Sequence, residues 1–504
     1  MRPADRLQVL RRAYAQRADL RGLGEHAYAV YLALLLGPLV GYPVLRAAVL
    51  ALSEPAVLAV LGSSGAATGA GVVFGLLLAA ALWFGGLYGP VTLEPALVPL
   101  WAGTDIPRSR SLARTFVGRG LVMAGLVTSA AALPTVVLVH TRAASVGAGV
   151  SFVLMSAGFG AIAAIAWLAG QAGERRFVWL VGAGISGLAV LTGVVPSLLA
   201  LTPWGWVGAA WPTADTPGVP ARALLLAAAV AVACSTAPRL LDSLTVMRLG
   251  EDAEKWHATS VAVVSGDIAH AMGRLRARPS SGRTWRAVRD FERSMRFLVA
   301  DAVGGMRTPV RFSVGLLTLA CAGLLLAVAP AAQAGWVLAG IGSGLGYLSL
   351  GVFSDGFRHA TEAAVAPALY GYSDATLFAL HFTLPVVASA VALVAGLVAA
   401  QAVGGAGSGL AVALTFGLAV VVRAYDAAKG PLPAILLTSI PSPFGDLSSL
   451  NVVIWQADAL LIAATAGAAI AALVHSGAET TAIVATVMLG ALLLAGLRHR
   501  LARL

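Results

Sequence analysis

Apolar residues gather along this chain in runs of about twenty, a length that predicts membrane-spanning helices, and short polar segments separate the runs. Twelve runs meet that requirement, at 28–50, 66–90, 117–140, 146–170, 177–201, 221–241, 311–332, 335–353, 377–401, 407–423, 451–474 and 479–497. The first carries Pro38 and Pro43 and is expected to kink, and the tenth is short. The polar segments carry their charge on one side. With the N-terminus placed in the cytoplasm, only Arg46, Arg142 and Arg222 of the 34 Lys and Arg fall outside, leaving 31 inside. The positive-inside rule then orients the chain. It also favours an even number of spans, because an odd number would expose Arg498, Arg500 and Arg503.

Composition narrows the class. Of the 504 residues, 59% are apolar and 11% charged, with a mean hydropathy of +0.85. A soluble domain is about a quarter charged, so a soluble enzyme, a disordered chain and a disulfide scaffold are excluded. The net charge of +11 lies between apolar spans rather than in a basic domain. It therefore points to anionic lipid headgroups and not to nucleic acid. Cys234 and Cys321 sit inside apolar runs and read as small core residues. The first 26 residues are too charged for a cleavable signal peptide. Arginine far outnumbers lysine, a bias expected of GC-rich genomes such as the actinobacterial ones.

An internal repeat is present. Residues 94–114 and 362–382 align without gaps and share Glu94/Glu362, Ala96/Ala364, Pro99/Pro367, Gly103/Gly371 and Leu112/Leu380. Each segment follows the second span of a six-span set, and each is cytoplasmic by charge. An amphipathic basic stretch precedes each set, at 6–24 and 284–305. In the second, Trp285, Val288, Phe291, Met295, Leu298 and Val299 recur at helical spacing among arginines, the pattern of a helix lying in the membrane interface. The expected fold is therefore an all-α polytopic membrane protein of about 12 transmembrane helices. They form two parallel six-span pseudo-repeats with both termini cytoplasmic. Residues 1–246 are the first half, 247–310 a cytoplasmic connector with the second interfacial helix, and 311–504 the second half.

Candidate chemistry is sparse. Lys255 and Lys429, the two lysines, lie in RLGEDAEKWH and YDAAKGPL, neither of which is a phosphate-binding G-x-x-x-x-G-K-[ST] loop. No HExxH or CxxC spacing offers a metal site. Asp458 is the main carboxylate within a span, near its cytoplasmic end, and Asp242 pairs with Arg239. A carrier driven by ions needs buried carboxylates, and the spans are nearly free of them.

Six spans after an interfacial helix, a short cytoplasmic helix between spans two and three, and the polar break LTPWGWVGAAWP at 201–212 resemble the permease half of ABC-2-type exporters. GPVTLEPALVPLWAGTDIPRSRSLAR at 89–114 resembles the coupling-helix region of large actinobacterial permeases that fuse both halves in one chain. The second half departs from the pattern. Residues 423–451 fall on the cytoplasmic side, and the outer loop at 475–478 is too short for a second Trp-rich segment.

The resemblance implies a permease subunit in the bacterial cell membrane that exports an amphipathic or lipid-like small molecule. It is not itself an enzyme. ATP and Mg would act through a separate ABC ATPase subunit with two nucleotide-binding domains, and further membrane subunits stay open. Glu94, Asp105, Arg108, Arg110, Asp355, Arg358, Glu362 and Asp374 would contact the ATPase. Pro99/Pro367 and Gly103/Gly371 would shape the turns. Trp204, Trp206 and Trp211 would form an outer gate or an interfacial aromatic belt. The alternatives are an ion-coupled secondary transporter and a membrane scaffold of an envelope assembly.

Overall fold

The computed structural model of the chain describes residues 31, 34, 38, 41–214, 218–264, 279, 281–288, 290–332, 335–364, 371–402, 407–430, 432–438, 441–442, 445–446 and 448–502. It divides into two compact units, Met1–Ser260 and Val261–Leu504. Both are helical, and the strands described are the two-residue antiparallel pair β1 (Pro441–Ser442) and β2 (Gly445–Asp446).

In the first unit the helices are α1 (Tyr42–Leu52), α2 (Pro55–Leu61), α3 (Ala66–Leu87), α4 (Val98–Ala102), α5 (Arg108–Ser111), α6 (Ala113–His140), α7 (Val146–Ala172), α8 (Arg175–Val194), α9 (Pro203–Gly208), α10 (Val219–Ser243) and α11 (Val246–Val264). Helix α3 packs on α7, α8 and α9, α7 packs on α6 and α10, and α9 also touches α10. The crossing of α3 and α7 is built on glycine. A Cβ on Gly85 would lie 2.0 Å from the Trp167 carbonyl, and one on Gly170 2.0 Å from that of Leu82. Lipid supplies no hydrophobic drive between helices, so close backbone contact of this kind holds them instead. Phe74, Phe152 and Phe159 fill the centre, their rings packed edge to face at 6.1 and 5.1 Å.

The second unit holds α12 (Arg293–Met306), α13 (Pro309–Val328), α14 (Gly335–Leu350), α15 (Asp355–Ala364), α16 (Asp374–His381), α17 (Thr383–Ala402), α18 (Gly409–Ala427), α19 (Ser448–His475) and α20 (Glu479–Leu501). Here α14 packs on α13, α18 and α19, α17 on α13 and α18, and α20 on α18. A tight turn joins α19 to α20, with Gly477 at φ +75°, a left-handed conformation that favours glycine.

Ten helices among the described residues are long and apolar enough to cross a bilayer. They carry large apolar side chains on their outward faces, such as Leu121, Leu224 and Leu492, at 67–73% exposed. A water-soluble surface does not sustain such faces; the chain is a multi-pass membrane protein. The count differs from the expected twelve at two places. Ten residues of the stretch 28–50, all before Gly41, lie outside the described residues, which retain α1. The stretch 335–353 forms α14, whose 16 residues are short for a span by itself; it meets α15 at 59°, and the bent pair makes an eleventh candidate. The expected interfacial helix at 284–305 starts later, at Arg293. Gly282 at φ +63° and the bond from Ser281 N–H to the Arg307 carbonyl (3.3 Å) fold the preceding residues back on its far end. The stretch 6–24 is outside the described residues. Both cysteines are free and exposed on the faces of α10 and α13, not in a core.

Candidate functional site

Each unit inserts short helices after a long one, and in each the insert is tied to neighbouring spans by buried polar groups. In the first unit the chain leaves α3 at Tyr88 and runs extended to Glu94. An extended backbone has no internal partners, so its polar groups must find others. Gln171, fully buried at the end of α7, supplies two of them. Its carbonyl accepts the Val91 N–H at 3.0 Å, and its amide donates to the Val91 carbonyl at 2.8 Å and to Asp252 at 3.1 Å. The clasp requires glycine at 89, where a Cβ would fall 1.7 Å from the Gln171 amide carbon. The Trp167 indole donates to the Tyr88 carbonyl at 2.6 Å. Arg119 of α6 donates to the Pro90 carbonyl at 3.0 Å and to the Thr92 hydroxyl. Burial first, and then the Asp252 carboxylate, push the Tyr88 phenol above its ordinary range.

Farther along, the insert is tied to the end of α10. Arg108 donates to the carbonyls of Leu244 and of Asp242 (3.3 Å), and Ser109 N–H donates to the Asp242 carboxylate at 2.7 Å. The expected Asp242–Arg239 pair gives way to that contact. Beneath these bonds Val91, Leu112, Leu244 and Leu249 form a buried apolar patch. Glu94, Pro99, Gly103, Asp105 and Arg110 face outward. Gly103 closes α4, its N–H donating to the Pro99 carbonyl at 3.1 Å. Of the expected contacts in this insert, Arg108 alone is turned inward.

In the second unit two arginines bond to backbone carbonyls where α14 ends and the chain turns into α15. Arg423 of α18 donates to the carbonyls of Tyr347 (2.7 Å) and Leu348 (3.1 Å), with its guanidinium 3.8 Å from the Tyr347 ring. Arg311 of α13 donates to the Gly351 carbonyl at 2.9 Å and grips Asp355 with both nitrogens, at 2.5 and 3.0 Å. The Tyr347 hydroxyl donates to Asp426 at 2.7 Å. Phe357 of α15 is fully buried, stacked on Phe378 at 5.9 Å and edge-on to Phe382 at 4.7 Å. His381 of α16 lies 2.6 Å from Asp301 of α12, which links those two helices.

Asp355 is thus held inside the fold, whereas Arg358 and Glu362 pair with each other on the outer face at 3.0 Å. Asp374 is exposed in the first turn of α16 and Gly371 precedes it at φ +66°, while Pro367 lies outside the described residues. The repeat is uneven in detail. Glu94 ends an extended stretch and Glu362 sits in the last turn of a helix.

The Trp-rich break forms α9, packed within the first unit. Trp204 is buried against Gly75, Trp211 donates to the Leu61 carbonyl at 2.8 Å, and the more exposed Trp206 donates to the Ala200 carbonyl at 2.7 Å. Asp458 does not stand alone: Lys429 reaches it and also lies 4.2 Å from the Trp455 ring. Among the described residues no three His, Cys, Asp or Glu converge as metal ligands.

Sequence reasoning passed over Gln171, Arg119, Arg311 and Arg423. Their signal was available, since a polar or ionisable residue within or at the edge of an apolar run is costly unless partnered. No protein-family model, curated protein or solved structure matches the chain.

Proposed function

We propose that this protein is the membrane-spanning permease of an ATP-driven exporter of the ABC-2 type, powered by a separate ATPase. The observation that supports this most is the tied insert. In both units a pair of short helices lies between the second and third spans of its set and is bonded to the ends of neighbouring spans. A push on such an insert is passed to the spans as a rigid-body motion, which is what a docked motor requires. The outward-facing Glu94, Asp105 and Arg110 in one unit, and Arg358, Glu362 and Asp374 in the other, are the contacts for the ATPase. Arg108 and Asp355 hold the inserts in place.

Packing order supports the two-repeat layout. The pairs α3·α7, α3·α8, α6·α7 and α7·α10 of the first unit correspond to α14·α18, α14·α19, α17·α18 and α18·α20 of the second. The Lys429–Asp458 pair weighs against ion coupling, because the main carboxylate within a span already has a cation of the chain beside it. The buried seats of Trp204 and Trp211 favour a fixed plug over a surface belt.

Mild-detergent purification of the tagged chain from its host tests the reading. A P-loop ATPase should accompany it, be weakened by Glu94→Arg or Glu362→Arg, and hydrolyse ATP faster with the chain than without. A chain that arrives without an ATPase would overturn the proposal.

A further inference from the structure

We propose that residues 281–307 form a docking surface for anionic phospholipid headgroups in the leaflet that α13 enters. The fold-back at Gly282 makes this more than one amphipathic helix. The Ser281 hydroxyl donates to the Met306 carbonyl at 3.2 Å, and Arg307 donates to the Trp285 carbonyl at 3.0 Å. The residues before α12 are thereby pinned beside its far end. Trp285, Val288, Phe291 and Met295 are each turned outward, 41–75% exposed, a large apolar content for a surface facing water.

Three observations name the occupant. The first is charge. Residues 281–307 carry six arginines against three acids, Asp290, Glu292 and Asp301, a net of +3; Arg283 and Arg286 flank the apolar group in the open, while Asp290 pairs with Arg296 at 3.3 Å and Asp301 with His381. The second is residue type: tryptophan and arginine together suit the boundary between headgroup and acyl chain, where an apolar body meets a charged layer. The third is continuity. Only Arg307 and Thr308 separate α12 from α13, so the surface lies within a turn of the point where the chain enters the membrane. A phosphate ion alone would leave the apolar side chains in water, so the phosphate must arrive on a lipid.

The test uses the full chain with Cys234→Ala and Cys321→Ala, and Val288→Cys carrying an environment-sensitive fluorophore. It is reconstituted in nanodiscs of phosphatidylcholine with and without phosphatidylglycerol. With phosphatidylglycerol the label should be quenched by lipid bearing a headgroup-level spin label and shielded from aqueous iodide, while inorganic phosphate should give no shielding. Each arginine replaced, in Arg283→Gln and Arg286→Gln, should lower the ratio of docked to free by about fivefold, the equivalent of about 1 kcal/mol per charge at an anionic surface. Added salt should release the label on the chain with both arginines intact, which keeps the proposal testable if the replaced chains fail to fold. Equal iodide access in both membranes would overturn it. So would shielding that appears only when a soluble protein is added, which would assign the surface to that protein.

Discussion

Replacing Gln171 by leucine keeps the side chain's bulk and removes its three hydrogen bonds. Val91 is fully buried, so its N–H and carbonyl would lose their partner with no water to replace it. Leaving one buried backbone group unpaired costs about 1–3 kcal/mol. Two such groups give about 2–6 kcal/mol, and release of Asp252 adds to this. Some of the cost is recovered if residues 88–94 peel away from α7 and become hydrated. That escape is the informative event. Opening of the segment should become easier by roughly 3 kcal/mol, which is about a hundredfold in the opening equilibrium.

Hydrogen exchange of a peptide covering 88–95 reads this directly, because the Val91 amide proton is the one that Gln171 holds. Faster exchange there, with the interior of α13 unchanged, is the expected result. Leu154→Ala on an exposed face of α7 is the control and should leave the peptide as it is. If exchange at 88–95 in the Gln171→Leu protein stayed within about threefold of the parent, well under the hundredfold expected from two unpaired groups, the clasp would not be what holds the insert.

Gly85→Val should abolish folding, since its first added carbon meets the Trp167 carbonyl at 2.0 Å. Gly125→Val, where a Cβ meets nothing within 4 Å, should survive at near-parent yield by size-exclusion in detergent. Tyr88 offers a pH test. Its folded pKa is raised above the free-phenol value of 10.0, so the native state prefers the neutral phenol. The stability this provides is complete below pH 10 and is lost as pH rises through the folded value. The thermal midpoint should therefore fall on the alkaline side in the parent, and that part of the fall should vanish in Tyr88→Phe.

Hydropathy and charge located the helices well, because lipid forces backbone satisfaction within each span and leaves the apolar length as the dominant signal. They marked α14 within 335–353 but not the 59° bend that follows it, where two arginines from other helices hold the joint with α15. No local reading of GLGYLSLGVFSD could show that, since Arg311 and Arg423 lie about forty residues before and seventy after it. The inserts themselves were legible as polar segments at matching places. Their internal ties were not, because Arg108 and Asp355 look like any loop charge until the backbone shows which way they face. Cys234 and Cys321 were misplaced for a related reason. In a membrane helix the outward face is as apolar as the inward one, so hydrophobicity no longer marks the core.

The bend between α14 and α15 also has a mechanical meaning. A straight rod transmits thrust along its own length and nothing sideways. Here the two rods meet at 59°, more than half a right angle, so most of a shove along α15 reaches α14 as a crosswise swing. The Arg311 and Arg423 side chains act as the brackets of that elbow, rooted in α13 and α18. On the exporter reading proposed above, a stroke along α15 would reach its neighbours through this joint as tilting of α13 and α18.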